Sequence, residues 1–262
     1  MTVGPGQRTR INLLILLLSA MTWVMLLVNP GSIMTLAHCP VTDSGASAAS
    51  FQMLLTMNPI SALAGGWALM LVAMMSPTLM SPIHHVRERS FKRRRARSVA
   101  LFVVGYAAVW AAAGGVLIAA TLTLSLLAPQ SYLPAVAAGV IAFVWQCSPV
   151  KQRCLNRGHN HSELAAFGIA ADVDALRFGL THGVWCVGSC WALMLLPMLL
   201  REGHFAAMAA VTFVMTGERL ERPGSPNWRL RFPGKLVRIL VARTRIRLQS
   251  LPSAIRPSLR KA

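Results

Sequence analysis

Six stretches of the chain are free of charge and dense in aliphatic residues: 11–28, 60–80, 99–122, 133–150, 184–200 and 205–216. Most are long enough to cross a hydrocarbon core about 30 Å thick as a helix, although the last is short. Backbone polar groups have no water to bond with in lipid, so uncharged runs of this length read as helices. The pattern therefore predicts an all-α polytopic membrane helix bundle of about six transmembrane helices.

Between the runs, residues 29–59 contain Pro30, Gly31 and a stretch rich in Ser and Ala, the composition of an irregular loop. Residues 130–134 are a short turn. No internal repeat of solenoid period is present.

Charge placement then orients the bundle. Lys and Arg number 26 against 8 acids, a formal charge of +18, which in a soluble chain would point to nucleic acid. Here 25 of the 26 fall on one side of a six-helix arrangement, with Arg201 alone opposite. The positive-inside rule places both termini in the cytoplasm, as expected of a multi-pass protein of the cytoplasmic (inner) membrane. Three parts follow: 1–59, the first helix and an external loop; 60–222, the main membrane domain; and 223–262, a basic cytoplasmic tail.

The tail is interrupted by five prolines and holds one helix-compatible stretch, 235–249. Its arginines are suited to anionic lipid headgroups. No aromatic interleaving or nucleic-acid motif accompanies the charge, so nucleic acid is not the expected partner. The first helix reads as uncleaved, because Ala46-Ser47-Ala48 lies far from the apolar run. His38 is too bulky for a lipoprotein cleavage box before Cys39.

Candidate chemistry concentrates in the fifth run. His182, Cys186 and Cys190 recur every fourth residue, so neighbours share a helix face while the row drifts about 40° per step. Met194 and Met198 continue the spacing, and Pro197 interrupts hydrogen bonding near the far end. Gly183 and Gly188 allow close helix approach. Thiolate, imidazole and thioether together favour copper(I), with zinc as the main competitor.

The second run supplies Met70, Met74 and Met75 before Pro77, which strips the carbonyl of Ala73 of its helical donor; His84 and His85 follow. A third segment, read as a cytoplasmic loop, carries Cys147, Cys154, His159 and His161. The cysteines read as thiols in a reducing compartment rather than as structural disulfides, with Cys39 alone outside. All eight acids fall outside the runs, and no P-loop or Ser-His-Asp order is present. His204 and Glu202 read as ordinary loop residues.

Ala73, Met74, Met75, Pro77 and Pro82, then Pro149, Lys151, Cys154 and Leu155, then His182, Gly183, Cys186, Gly188, Cys190 and Trp191, carry a family likeness. Together they resemble bacterial integral membrane proteins catalogued as a predicted metal-binding domain of otherwise unknown function. The similarity runs from about Trp67 to Pro223. It departs at Ser189, where the family has a cysteine, and at Arg157-Gly158, where the family has a His-Cys step. The resemblance implies metal binding, with copper handling as the activity.

The expectation is a non-catalytic protein that binds a soft metal ion, copper before zinc, through His182, Cys186 and Cys190, supported by Cys154, Met74 and Met75. Its partner would be a metal-receiving membrane protein. A membrane thiol oxidoreductase using Cys186 or Cys190 with Cys154, and a scaffold whose cysteines only pack, are the alternatives.

Overall fold

The computed structural model describes residues 5–28, 52, 56, 59–128, 131–160, 162–200, 202–231 and 234–250, and the elements among them are helical. His38, Cys39, His161, Arg201, most of the 29–59 loop and the end of the tail lie outside the described residues. The helices are α1 (Pro5–Val28), α2 (Ile60–Met75), α3 (Met80–Arg89), α4 (Arg95–Leu127), α5 (Leu133–Cys147), α6 (Pro149–Gly158), α7 (Gly168–Leu199), α8 (His204–Leu220) and α9 (Gly234–Ser250).

Four spans are long and apolar enough to cross a membrane: Gly6–Val28, Ile60–Arg89, Arg95–Leu127 and Gly168–Leu199. A fifth results if α5 and α6, bent by 66° at Ser148, are one span. The sixth run forms α8, which is 17 residues long and carries Glu218 and Arg219 in its last turn. Among the described residues there are thus four such helices, or five, where the hydropathy pattern predicts about six.

The second run continues past its break. Pro77 cannot donate to the carbonyl of Ala73, and the backbone tightens into a 3-10 turn at Ser76–Leu79 before α3 resumes. α1 repairs the loss. The Ser19 hydroxyl donates to the Ala73 carbonyl at 2.7 Å and the Trp23 indole N–H donates to it at 3.2 Å.

α7 is the central helix, packed most extensively on α4 and also on α5, α6 and α8. Glycines set the α4–α7 distance. A Cβ on Gly105 would lie 2.6 Å from the Leu176 carbonyl oxygen, and one on Gly183 would lie 3.0 Å from the Val109 Cβ. Only helices with small residues at the crossing come this close.

The segment expected as a loop around Cys154 is a helix. Ser148 is extended and its hydroxyl accepts from the Lys151 N–H, while Pro149 occupies the first turn, so α6 starts afresh where α5 ends. Its inner face buries Lys151, Gln152, Cys154 and Leu155.

Apolar side chains face outward on α1 (Leu14, Leu17, Met21) and α5 (Val136, Val140, Phe143), whereas Ser19, Gln146, Lys151 and Glu218 are buried. The basic helix ends gather. Arg94 and Arg97 pair with Asp172 at 2.9 and 2.8 Å, and Arg8 pairs with Glu88 at 3.3 Å. The starts of α1, α4 and α7 thus lie at the same end as the end of α3.

Candidate metal centre

Nine sulfur-bearing side chains stand in one continuous buried cluster. α2 contributes Met70, Met74 and Met75; α7 contributes Cys186, Cys190, Met194 and Met198; α8 contributes Met208 and Met215. Methionine fills gaps in many apolar cores. What distinguishes this cluster is a small cavity at one end of it.

That cavity, about 10 Å³, is lined by Met75 and Thr78 from the Pro77 break, Cys186, Ser189 and Cys190 of α7, Met215, Glu218 and Arg219 of α8, and Leu155 of α6. It holds little more than one small sphere. The break at Pro77 positions its α2 side: Thr78 donates to the Met75 carbonyl at 2.8 Å, so both residues turn toward α7.

On α7 the Cys186 carbonyl accepts from the Cys190 thiol and from the Ser189 hydroxyl, each at 2.8 Å. The Cys186 sulfur lies 3.3 Å from the Tyr106 hydroxyl of α4. Arg219 donates to the Ser189 hydroxyl at 3.3 Å and lines the same cavity as Cys186 and Cys190. A guanidinium therefore shares the cavity wall with the two thiols.

Behind Arg219 the wall is ionic. Lys151 pairs with Glu218 at 2.8 Å, both side chains are buried, and Gln146 bridges them by donating to Glu218 and accepting from Lys151. Glu218 lies outside the apolar runs, as the sequence indicates, yet its side chain is buried and its charge is balanced by Lys151. Arg231, from the segment after α8, donates to the Gln146 and Ser148 carbonyls and to the Gln152 side chain, and so pins that segment over the α5–α6 break. Burial pulls the Arg231 guanidinium below the ordinary arginine range, with the Glu218 carboxylate acting in the opposite sense.

A larger cleft of about 360 Å³ opens between α6, the end of α8 and residues 221–238. It shares Leu155 and Glu218 with the sulfur cavity, so the two are separated by a single wall.

Of the residues expected as ligands, Met75, Cys186 and Cys190 line the cavity, and Met74 is fully buried in the same cluster. His182 stands apart, among Phe102, Tyr106 and Phe178 at ring separations of 6.0, 6.1 and 5.8 Å. Cys154 sits against Gly188, where an added Cβ would come within 2.9 Å of its sulfur, on a different face of α7 from Cys186.

His159 has both ring nitrogens on carbonyls, those of Leu155 and Arg219. His84 meets Asn12 and His85 meets the Ser162 carbonyl. Among the described residues no three His, Cys, Asp or Glu side chains converge as a metal site. The four described cysteines are free thiols.

Met215, Arg219 and Tyr106 belong to the centre but were not among the expected ligands. The available signal was Met215 lying seven residues after Met208, which repeats a helix face.

Fold and centre define an all-helical protein that gathers soft donors in its core. The model of the PpoB2 copper-chaperone family matches residues 64–238, and the chain belongs to that family. No curated protein and no solved structure matches it. Membership in that family is consistent with copper as the metal.

Proposed function

We propose that this chain is a multi-pass membrane copper chaperone that holds copper(I) between Cys186 and Cys190, with the Met75 and Met215 thioethers alongside, and passes it to a membrane protein. The observation that carries the reading is the cavity lined by two thiols and two thioethers at the end of a buried sulfur cluster. Copper(I) favours such soft donors in low coordination, whereas a structural zinc site takes four thiolate, imidazole or carboxylate ligands.

Family membership supports copper as the cargo. The outward apolar faces of α1 and α5 support a lipid surround, and the gathered basic helix ends support a cytoplasmic location for the centre. Arg219 balances part of the thiolate charge, which lowers the cost of holding an ion pair away from water. Release through the cleft beyond Leu155 and Glu218 would lead toward the basic tail. The role is delivery, not catalysis.

The test is anaerobic loading of the detergent-purified chain with copper(I) against a chromogenic chelator, beside Cys186→Ser/Cys190→Ser. The parent is expected to hold one ion per chain more than the variant. An empty parent, or equal metal in both, would overturn the reading.

A further inference from the structure

The far end of the sulfur row carries a buried histidine that the Cys186–Cys190 centre does not use. His204 opens α8 and is 5% exposed. Its Nδ1–H donates to the Pro197 carbonyl at 2.7 Å. A carbonyl only accepts, so the hydrogen of the neutral ring resides on Nδ1 and Nε2 keeps its lone pair.

That Nε2 is buried and meets no hydrogen-bond partner among the described residues. Buried polar atoms rarely stay unpaired without a reason. One ring nitrogen fixed on a backbone carbonyl, with the other offering a bare lone pair, is how metal-binding imidazoles are commonly oriented.

Buried soft donors flank it along the chain. Met208 lies one turn further along the same face of α8 and is fully buried. Met198 follows Pro197, whose carbonyl anchors the ring, and it too is buried. From Met198 the row returns through Met194 to Cys190 and Cys186, each four-residue step rising about 6 Å along α7.

We propose that His204 Nε2, with the Met198 and Met208 thioethers, forms a second copper(I) site at the opposite end of the α7 sulfur row. The Met194 thioether then gives an ion a stepping point between the two sites. The proposal rests on the copper reading above, and the measurements separate their failures.

Copper(I) is counted on the detergent-solubilised full chain under the same chelator competition, and X-ray absorption is recorded on Cys186→Ser/Cys190→Ser. The parent is expected to hold two ions and the cysteine variant one, with imidazole and sulfur scattering. His204→Gln should lose one ion. Met208→Ile, which leaves the His204–Pro197 bond intact, should weaken one ion at least tenfold and spare the other.

A cysteine variant that is empty while the parent holds one ion overturns the second site and leaves the first standing. One ion that survives in the cysteine variant and is lost in His204→Gln has the reverse meaning. A parent without copper overturns both.

Discussion

The Ser19 hydroxyl of α1 donates to the Ala73 carbonyl of α2 at 2.7 Å, replacing the backbone hydrogen bond that Pro77 removes. Trp23 donates to the same oxygen at 3.2 Å. The proline break that turns Met75 and Thr78 into the sulfur cavity is therefore tied to the first helix. Ser19→Ala should cost about 1 kcal/mol, the ordinary net worth of one hydrogen bond. Ser19→Ala/Trp23→Phe should cost more than either alone, since the carbonyl is then orphaned. Thermal unfolding in detergent measures both, and a neutral double variant would show that the break needs no support from α1.

Gly188 and Cys154 form a second tight contact, where an added Cβ would stand 2.9 Å from the sulfur. Gly188→Ala should destabilise the chain by roughly 1–3 kcal/mol, the usual cost of overpacking. Cys154→Ala should recover much of it, because the obstacle is that one sulfur. A double-mutant cycle reads the coupling. No recovery would mean that the α6–α7 spacing is fixed elsewhere.

The Lys151–Glu218 pair is buried and bridged by Gln146. Removing one partner leaves the other charge uncompensated, so Glu218→Gln should cost about 3–5 kcal/mol. Lys151→Met/Glu218→Met should be less damaging than Glu218→Gln, since no bare charge then remains. If the double variant is the worse of the two, the pair contributes more attraction than it costs in desolvation.

The helical character of the chain was legible because long uncharged apolar runs are a local signal. The helix of α6 was also written locally, in Ser148 followed by Pro149, yet the cysteine and histidines around it drew attention as a loop. The centre was harder. Spacing by four aligned His182 with Cys186 and Cys190, but the drift of about 40° at each step turns His182 toward the α4 aromatics. Cys186 and Cys190 face the cavity shared with α2 and α8 instead. Met215, Arg219 and Tyr106 could not be assigned from spacing, because each reaches the thiols only through helix packing. His204 read as a loop residue because burial and the bond to the Pro197 carbonyl are tertiary facts.

Arg219 donates to the Ser189 hydroxyl and lines the cavity with Cys186 and Cys190. Two thiolates around one copper(I) carry a net negative charge, and a guanidinium beside them stabilises it. Arg219→Gln should weaken copper(I) binding about tenfold, within the range of one charged hydrogen bond. Arg219→Lys should fall between, since it keeps the charge but not the planar donors. Equal affinity in all three proteins, measured by chelator competition, would remove Arg219 from the centre.

Ser189 lines the cavity, and its hydroxyl donates to the Cys186 carbonyl at 2.8 Å. A cysteine there would add a third thiol to the same small space. Ser189→Cys should tighten copper(I) binding by tenfold or more, which corresponds to about 1.4 kcal/mol or better. X-ray absorption should then count one more sulfur around the metal. Cys186→Ser made in the Ser189→Cys background should recover part of the affinity lost in Cys186→Ser alone, because the new thiol stands within one turn of the old one. Unchanged affinity and sulfur count would mean that the ion does not sit at this wall, and the ligands would then have to be sought further along the methionine row.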